Sequence, residues 1–374
     1  MEISAIVTSV PLSLMFIFIG TIINLIQVAC YLTIRPLSKS TFRRINGAVS
    51  EVLWLELVWL MEWWSGCEVK LHTDLKTYRL MGKEHALLMP NHVADADTML
   101  VWLLAQRMGC LRSALIISKK STQYLPIFGW TTWFYEFIFV DRNWAKDGSK
   151  LKSSFQALKD FPIPFWVTIF AEGTRLTPDK LLEAQTFAST KGLAIPKNVL
   201  IPRTKGFVTA VQSLRSFVPA LYDVTIAIQK GHPSPSLLRF LKRQPCKIKV
   251  HIKRYSMKEL PESDEGIAQW CRNRFIAKDA LLDKLAATGG FDEEEITDFR
   301  RSTKSLIVFL ITLFLFSVGA WISCQKFSLL SNRRGYTILA TIVGTAAIFA
   351  HIFLEFTKLP PQKCKATLQT NGDT

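Results

Sequence analysis

One stretch of the sequence combines a histidine with two carboxylates directly after a short apolar run. The segment 91–97 follows the strand-like residues 86–90 and carries His92, Asp95 and Asp97. A histidine can act as a general base near neutral pH, and a carboxylate can hold its ring in one tautomer and stabilise the imidazolium. Such a pair is typical of a site that removes a proton, although a His–Asp hydrogen bond that only caps a helix uses the same residues.

The spacing constrains which carboxylate can pair with the histidine. Residues five apart on one helix differ by about 140° in direction, because each residue turns by about 100°. His92 and Asp97 therefore meet only if His92 lies on the loop before the helix and Asp97 lies in the first helical turn. Asp95, three residues after the histidine, is the alternative partner.

A second stretch suits the binding of an anion. Four residues with this chemistry follow the apolar run 165–170: Glu172, Gly173, Thr174 and Arg175. A turn that contains glycine exposes backbone N–H groups at the end of a strand, and an arginine adds a planar, permanent cation. Together these groups can hold a phosphate or an oxyanion. A loop with an ordinary surface arginine is the alternative interpretation.

Basic loops and scattered cysteines limit the remaining site chemistry. The loops 118–120 and 201–206, the second with Lys205, carry cations that can meet phosphates or an anionic membrane surface, or can simply be solvated. The seven cysteines form no Cys-x-x-Cys pair, and no second histidine lies at ligand spacing from His92. This disfavours a metal site and a disulfide framework, and is typical of reduced thiols in a cytosol-facing protein.

The elements that must position these residues alternate between strand-like and helix-like patterns. Helical periodicity appears at 98–106, 144–161, 207–217 and 264–285, with short apolar runs between these segments. Strands that alternate with helices indicate βαβ units, so we predict an α/β fold with a mostly parallel sheet flanked by helices. The strand-like runs are 86–89, 114–118, 137–140, 165–170, 199–201, 220–228 and 248–252.

Long apolar segments indicate a membrane protein, and 49% of all residues are hydrophobic. Residues 4–34, 305–324 and 336–354 are each long enough to cross a bilayer, which needs about 20 apolar residues. For the last two segments, a hydrophobic hairpin in a soluble core is the alternative. In 51–66, glutamates and tryptophans interrupt the apolar pattern. We predict an interfacial or shallowly embedded helix there, with a core helix as the alternative.

These segments predict four regions and one orientation. Basic residues cluster from Arg35 to Arg44, just after the first apolar segment, whereas only Glu2 precedes it. Positive charge beside a span marks the cytosolic side, so we expect the central region to face the cytosol. The regions are an N-terminal membrane anchor with an interfacial helix (1–67), a central domain (68–290), a C-terminal transmembrane helix pair (291–361) and a polar tail (362–374).

The net charge of +16 suits an anionic partner. Anionic lipid and a substrate that carries a phosphate both fit this charge. A nucleic-acid surface is disfavoured, because the apolar runs account for the abundant aromatic residues better than base stacking does. We therefore expect a lipid bilayer as partner, and no nucleic acid.

Both site segments resemble signature blocks of the glycerolipid acyltransferases. The pattern His92-x4-Asp97 matches the first block, and Glu172-Gly173-Thr174-Arg175 matches the third. The second and fourth blocks are matched by Phe139-Val140-Asp141-Arg142 and by Val218-Pro219-Ala220. Flanking sequences such as SKKSTQYLPIFGWTTWFYE and KDALLDK are similar to plant lysophosphatidic acid acyltransferases of the endoplasmic-reticulum type. The four blocks at this spacing are far more specific than any one of them.

The resemblance covers about residues 20–290 and implies an enzyme of the endoplasmic-reticulum membrane. Such an enzyme transfers an acyl chain from acyl-CoA to the sn-2 hydroxyl of lysophosphatidic acid and forms phosphatidic acid. The resemblance makes 68–290 the acyltransferase catalytic domain, with His92 as the general base and Asp97 orienting it. It implies no covalent acyl-enzyme, which fits the absence of a G-x-S-x-G motif. Acyl-CoA is a co-substrate, and no cofactor or metal is implied.

The resemblance also implies the residues that bind substrate, and some interpretations remain open. Glu172 can support the loop or contact the substrate. Residues 93, 94 and 96 depart from the family pattern, which leaves a non-catalytic membrane scaffold as one alternative. An acyltransferase for glycerol 3-phosphate or another lysophospholipid is the other. The implied substrate-binding residues are Arg142, Glu172, Gly173, Thr174, Arg175 and Lys205.

Overall fold

A computed structural model describes residues 3–141 and 143–357, with a seven-stranded sheet at its centre. Arg142 and the predicted tail 362–374 lie outside the described residues. The strands lie in the order β1-β7-β6-β2-β5-β3-β4. Numbered along the chain, they are β1 (Glu68–His72), β2 (Ala86–Pro90), β3 (Ala114–Lys119), β4 (Ile138–Val140), β5 (Trp166–Thr168), β6 (Ala220–Ile228) and β7 (Lys247–Ser256).

Neighbouring strands run parallel, except that β6 and β7 are antiparallel. The predicted mostly parallel sheet is therefore confirmed. Strand β2 lies between β5 and β6, both parallel to it, and all of its residues are buried. The carboxyl ends of these three strands consequently lie at one edge of the sheet, where the loops of an open α/β sheet form binding sites.

The strand predictions were right for six runs and wrong for one. The run 199–201 is not a strand, although Val199 and Leu200 are buried. Its backbone makes a side-chain contact instead, because the N–H of Leu200 donates to the Glu172 carboxylate at 3.0 Å. Strand β1 was not predicted. β1 lies at the edge of the sheet, and its exposed Glu68 is followed by the buried Val69. The sequence of this strand therefore contains no continuous apolar run.

Twelve α-helices surround and extend the sheet within the described residues, and they include the four predicted helical stretches of the central domain. Helix α7 was not predicted, although Thr177 caps its start and Gly192 ends it in a left-handed conformation. The helices are α1 (Ile3–Thr33), α2 (Lys39–Trp59), α3 (Leu75–Leu80), α4 (Asp97–Arg107), α5 (Phe128–Phe134), α6 (Trp144–Gln156), α7 (Pro178–Lys191), α8 (Thr204–Leu214), α9 (Leu237–Leu241), α10 (Asp264–Thr288), α11 (Lys304–Lys326) and α12 (Arg333–Thr357).

Three helices in the described part of the chain are long and apolar enough to cross a membrane. The candidate spans are Ser9–Thr33 in α1, Lys304–Lys326 in α11 and Arg333–Glu355 in α12. They match the three predicted segments. Helix α1 packs against both C-terminal helices and against α2. The three candidate spans therefore form one bundle beside the sheet and its helices.

The stretch 51–66 is packed inside the protein and does not form the interfacial helix that we predict. It is the second half of α2, continued by a π-helical turn at Leu60–Trp64. Trp54 is fully buried and stacks on Trp102 of α4, with ring centroids 4.4 Å apart. The tryptophans that resemble a headgroup-level belt in the sequence instead fill the space between α2 and its neighbours, since a large ring also packs well in a core.

Polar side chains of α1 join the N-terminal span to α5 and α2. Asn24 Nδ2 donates to Thr131 Oγ1 of α5 at 2.7 Å, and Gln27 Nε2 donates to Asn46 Oδ1 of α2 at 2.8 Å. Both α1 residues are buried. A buried amide is costly unless its hydrogen bonds are satisfied, so these contacts favour one docking position of α1.

Candidate active site

The strand end that carries the histidine is completed by an asparagine side chain. Pro90 is the last residue of β2, and Asn91 follows it fully buried. The Asn91 amide donates to the carbonyl of Ile226 at 3.0 Å and accepts from the N–H of Ile226 at 2.7 Å. These two bonds imitate a strand pairing with β6, so the next residue leaves the sheet at a defined point.

His92 lies on the loop and Asp97 is the first residue of α4, which is the geometry that their pairing requires. His92 Nδ1 lies 2.8 Å from Asp97 Oδ2. The same oxygen accepts from the backbone N–H groups of Val93 and Ala94, at 2.7 and 3.0 Å. With Nδ1–H donating to the carboxylate, Nε2 keeps a lone pair that can accept a proton. The alternative partner, Asp95, lies instead near Arg175.

Glu172 supports the histidine loop by accepting a hydrogen bond from its backbone. Its carboxylate is 2% exposed and accepts from the N–H of His92 at 2.7 Å and from the N–H of Leu200 at 3.0 Å. Burial raises the pKa of Glu172 to about 8, against the lowering effect of these two donors and of the Lys278 charge. Of the two interpretations left open by the sequence, the contacts favour support of the loop over contact with the substrate.

The glycine-bearing turn after β5 crosses next to the histidine loop. Gly173 has a φ of +70°, and a Cβ there would lie 3.1 Å from Arg203 Cδ, so a side chain is disfavoured both by conformation and by space. The N–H of Leu176 donates to the carbonyl of His92 at 2.8 Å. The two predicted site segments are therefore joined directly through their backbones.

Arg175 and Thr174 already have partners on the protein. Arg175 Nη1 lies 3.7 Å from Asp95 Oδ2, and the Arg175 side chain is 18% exposed. Burial raises the pKa of Asp95, while the Arg175 charge opposes that shift. The Thr174 hydroxyl accepts from Lys180 at the start of α7. Asp95 therefore occupies one side of the Arg175 guanidinium, and the exposed part of the Arg175 side chain contacts solvent.

A cavity of about 510 Å³ opens beside these loops. Its lining includes the apolar residues Ile117 and Ile169, the cations Arg203 and Lys205, and one carboxylate, Asp147. Phe170 also borders the cavity, and its ring centroid lies 4.4 Å from that of His92. The volume is in the usual range for small-molecule sites, and the lining suits a ligand with an apolar part and an anionic part.

Sequence reasoning named no role for Asn91 or Lys278, and it considered Arg203 only as part of the basic loop 201–206. Arg203 precedes α8 and lines the cavity, and Asn91 holds the strand end. Lys278 of α10 reaches the same strand end from the far side. The signal for Lys278 was a lysine on the apolar face of a helix, three residues after buried Phe275 and four before buried Leu282. Among the described residues, no group of three metal-ligating side chains occurs.

Comparison with known proteins finds two family matches and several curated relatives. The family described as "Acyltransferase" matches residues 68–229, and "Acyltransferase C-terminus" matches 239–312. A curated relative, 1-acyl-sn-glycerol-3-phosphate acyltransferase 2 of Arabidopsis thaliana, is 51% identical over 92% of this chain and 89% of its own. The curated 1-acyl-sn-glycerol-3-phosphate acyltransferase gamma of Homo sapiens is 36% identical over 82% of this chain and 83% of its own. A crystal structure of the acyltransferase PlsC of Thermotoga maritima aligns with a TM-score of 0.45 and 16% identity, over 75% of this chain and 98% of its own.

The buried Glu172 predicts a pH-dependent stability that Glu172→Gln should lack. Because the folded pKa, about 8, lies above the ordinary value of 4.5, the folded protein holds this proton more tightly than the unfolded chain. The protonated Glu172 contributes fully to the free energy of unfolding below the pKa of the unfolded chain. This contribution is lost as the pH rises through the pKa of the folded protein, at no more than about 1.4 kcal/mol per pH unit. Melting temperatures of both proteins in detergent, between about pH 5 and about pH 9, check this. Parallel curves would contradict it.

Proposed function

This chain belongs to the 1-acyl-sn-glycerol-3-phosphate acyltransferases, and we propose that it works by direct acyl transfer with His92 as the general base. The family resemblance found in the sequence motifs is confirmed. As an enzyme of this family, the chain acylates lysophosphatidic acid to phosphatidic acid, with acyl-CoA as the donor. The observation that carries the proposed mechanism is the His92–Asp97 contact at 2.8 Å on the loop after β2.

In the proposed mechanism the acceptor hydroxyl lies near His92 Nε2. As its oxygen attacks the thioester carbonyl carbon of acyl-CoA, its proton passes to Nε2, and Asp97 stabilises the imidazolium through Nδ1–H. The carbon–sulfur bond then breaks, and the CoA thiolate leaves and takes up the proton from His92 Nε2, which restores the neutral histidine. The ester bond forms in one transfer between the two substrates. No side chain of the protein carries the acyl group at any stage.

Cations near the histidine loop support the proposed acceptor site. Lys205 lines the cavity at the N-terminal end of α8, which begins at Thr204. Arg175 lies on the turn after β5, beside Asp95, and is not among the residues that line the cavity. A phosphate is favoured by helix N-termini and by guanidinium groups, which donate two parallel hydrogen bonds. We assign the acceptor phosphate to Arg175, with Gly173, Thr174 and Lys205 around it. Arg142 is carried over from the family motif.

The spans and the surrounding charge support the proposed membrane position. The protein is a membrane protein with three candidate spans. We place it in the endoplasmic-reticulum membrane with the catalytic fold on the cytosolic side, where acyl-CoA is available. Arg35, Lys39 and Arg44 remain exposed after the first span, whereas Arg43 is buried against Glu136. Three exposed cations therefore still support the cytosolic placement.

Removing the proposed base should abolish acyl transfer without unfolding the protein. His92→Ala should lose about 10²–10⁴-fold in rate, because a positioned general base contributes that much. Asp97→Asn should be nearly as severe, since it weakens both the ring contact and the loop. Asp95→Asn is the matched control and should be milder. CoA release by purified protein in detergent, with a melting curve for each variant, measures both effects. Greater damage from Asp95→Asn would show that the pairing does not serve catalysis.

The proposed phosphate contact predicts an acceptor-specific defect in Arg175→Lys. Lysine cannot reproduce the two-pronged guanidinium contact, and hydrogen bonds to charged groups contribute roughly 1.5–3 kcal/mol each. The efficiency should fall about tenfold or more, chiefly through a raised KM for lysophosphatidic acid. The KM for acyl-CoA should change less.

The alternative is that Arg175 only braces the loop through Asp95. In that case Arg175→Lys would impair both substrates together and lower the melting temperature, and Asp95→Asn would reproduce the defect. Kinetics of both variants against each substrate separate the two roles. An unchanged KM for the acceptor would remove Arg175 from the phosphate site.

The proposed orientation predicts that the catalytic fold is accessible from outside sealed microsomes. Protease added to such vesicles should degrade the region 68–290 and spare the loop between α11 and α12. Two consecutive spans that begin on the cytosolic side place the loop between them in the lumen. Antibodies against each region, with detergent-opened vesicles as the control, report the fragments. Protection of 68–290 in sealed vesicles would show the opposite orientation.

A further inference from the structure

A lysine side chain is buried beneath the histidine loop. Lys278 lies on α10 and its side chain is 1% exposed. Its ammonium group donates to the carbonyls of Met89 at 2.8 Å and Val224 at 2.5 Å, and lies 2.5 Å from Asp223 Oδ1. An ammonium group is costly to bury unless it is paired and hydrogen-bonded. Met89 lies next to the last residue of β2, whereas Asp223 and Val224 lie in the middle of β6, beside the end of β2.

Lys278 bridges two strands at the point where β2 ends. Pro90, the last residue of β2, is paired with Val224 in the parallel register of β2 and β6. The lysine donates to one carbonyl on each of these strands. One residue further along, the amide of Asn91 replaces the next backbone pairing. The two strands are thus held together at the exit to His92 by side chains.

The positive charge of Lys278 also acts on Glu172, which holds the backbone of His92. This charge lowers the Glu172 pKa that burial raises. The ionisable groups around Lys278 are Asp223 on β6, Glu172 on the turn after β5 and the thiol of Cys271 on α10 itself. Lys278 therefore acts on both the strand that precedes His92 and the carboxylate that holds its backbone.

We propose that Lys278 is a positioning residue that aligns His92 for acyl transfer. Lys278 lies in the part of the chain that the C-terminal family region matches. This inference rests on the proposed function of His92 as the general base. Lys278 does not touch the substrate; it acts through the carbonyl of Met89, the carbonyl of Val224 and the carboxylate of Glu172. The histidine site therefore depends on α10 as well as on the region that carries the sequence motifs.

A set of variants separates positioning from simple charge neutralisation. Lys278→Met should lower kcat by about tenfold to hundredfold, since small displacements of a catalytic group have effects of that size. The KM values for both substrates should change less. The melting temperature should also fall, because Asp223 loses its partner. In the double variant with Asp223→Leu no charge is left unpaired, so the melting temperature should recover while kcat stays low. Lys284→Met, on the exposed face of α10, is the matched control and should behave as wild type.

Each result either supports or overturns the proposal. Recovery of kcat together with the melting temperature in the double variant would show that Lys278 only neutralises Asp223. An unchanged kcat in Lys278→Met, or a double variant that does not fold, would also overturn it. His92→Ala is measured in parallel, because retained activity in that variant overturns the proposed mechanism itself, independently of the outcome at Lys278.

Discussion

The loop that carries His92 depends on one carboxylate oxygen. Asp97 Oδ2 accepts from the imidazole of His92 and from the N–H groups of Val93 and Ala94. The first N–H groups of a helix have no partner within it, and the positive end of the helix favours a negative charge. Asp97 begins α4 in that position. A single buried carboxylate therefore closes the loop, starts the helix and selects the histidine tautomer.

The segments on either side of this loop supply the remaining support. Asn91 holds the exit from β2, and Glu172 holds the backbone of His92 from the turn after β5. Each contact satisfies a polar group that would otherwise be buried without a partner. These contacts hold His92 at its backbone as well as at its ring.

The membrane bundle and the catalytic fold also share charged contacts. Glu51 of α2 accepts from Arg112 in the turn before β3 at 2.7 Å and from Lys304 at the start of α11 at 2.5 Å. The hydrogen bonds of Asn24 and Gln27 add the N-terminal span to the same assembly. Helix α2 thus lies between the spans and the active site, so its tryptophans are packing residues and not a membrane belt.

The sequence alone determined the features that depend on local pattern. The apolar runs located six strands and the three candidate spans, and the motif spacing identified the family and the His92–Asp97 pair, which lies within one loop and one helical turn. Contacts between distant segments were decided by the tertiary structure. Glu172 is 80 residues from His92 in the chain, and Lys278 is 189 residues from Met89. Periodicity tells which face of an element is buried, but not which distant side chain that face will meet. The roles of Glu172 and Lys278, and the burial of Trp54, therefore follow from the packing of the whole chain.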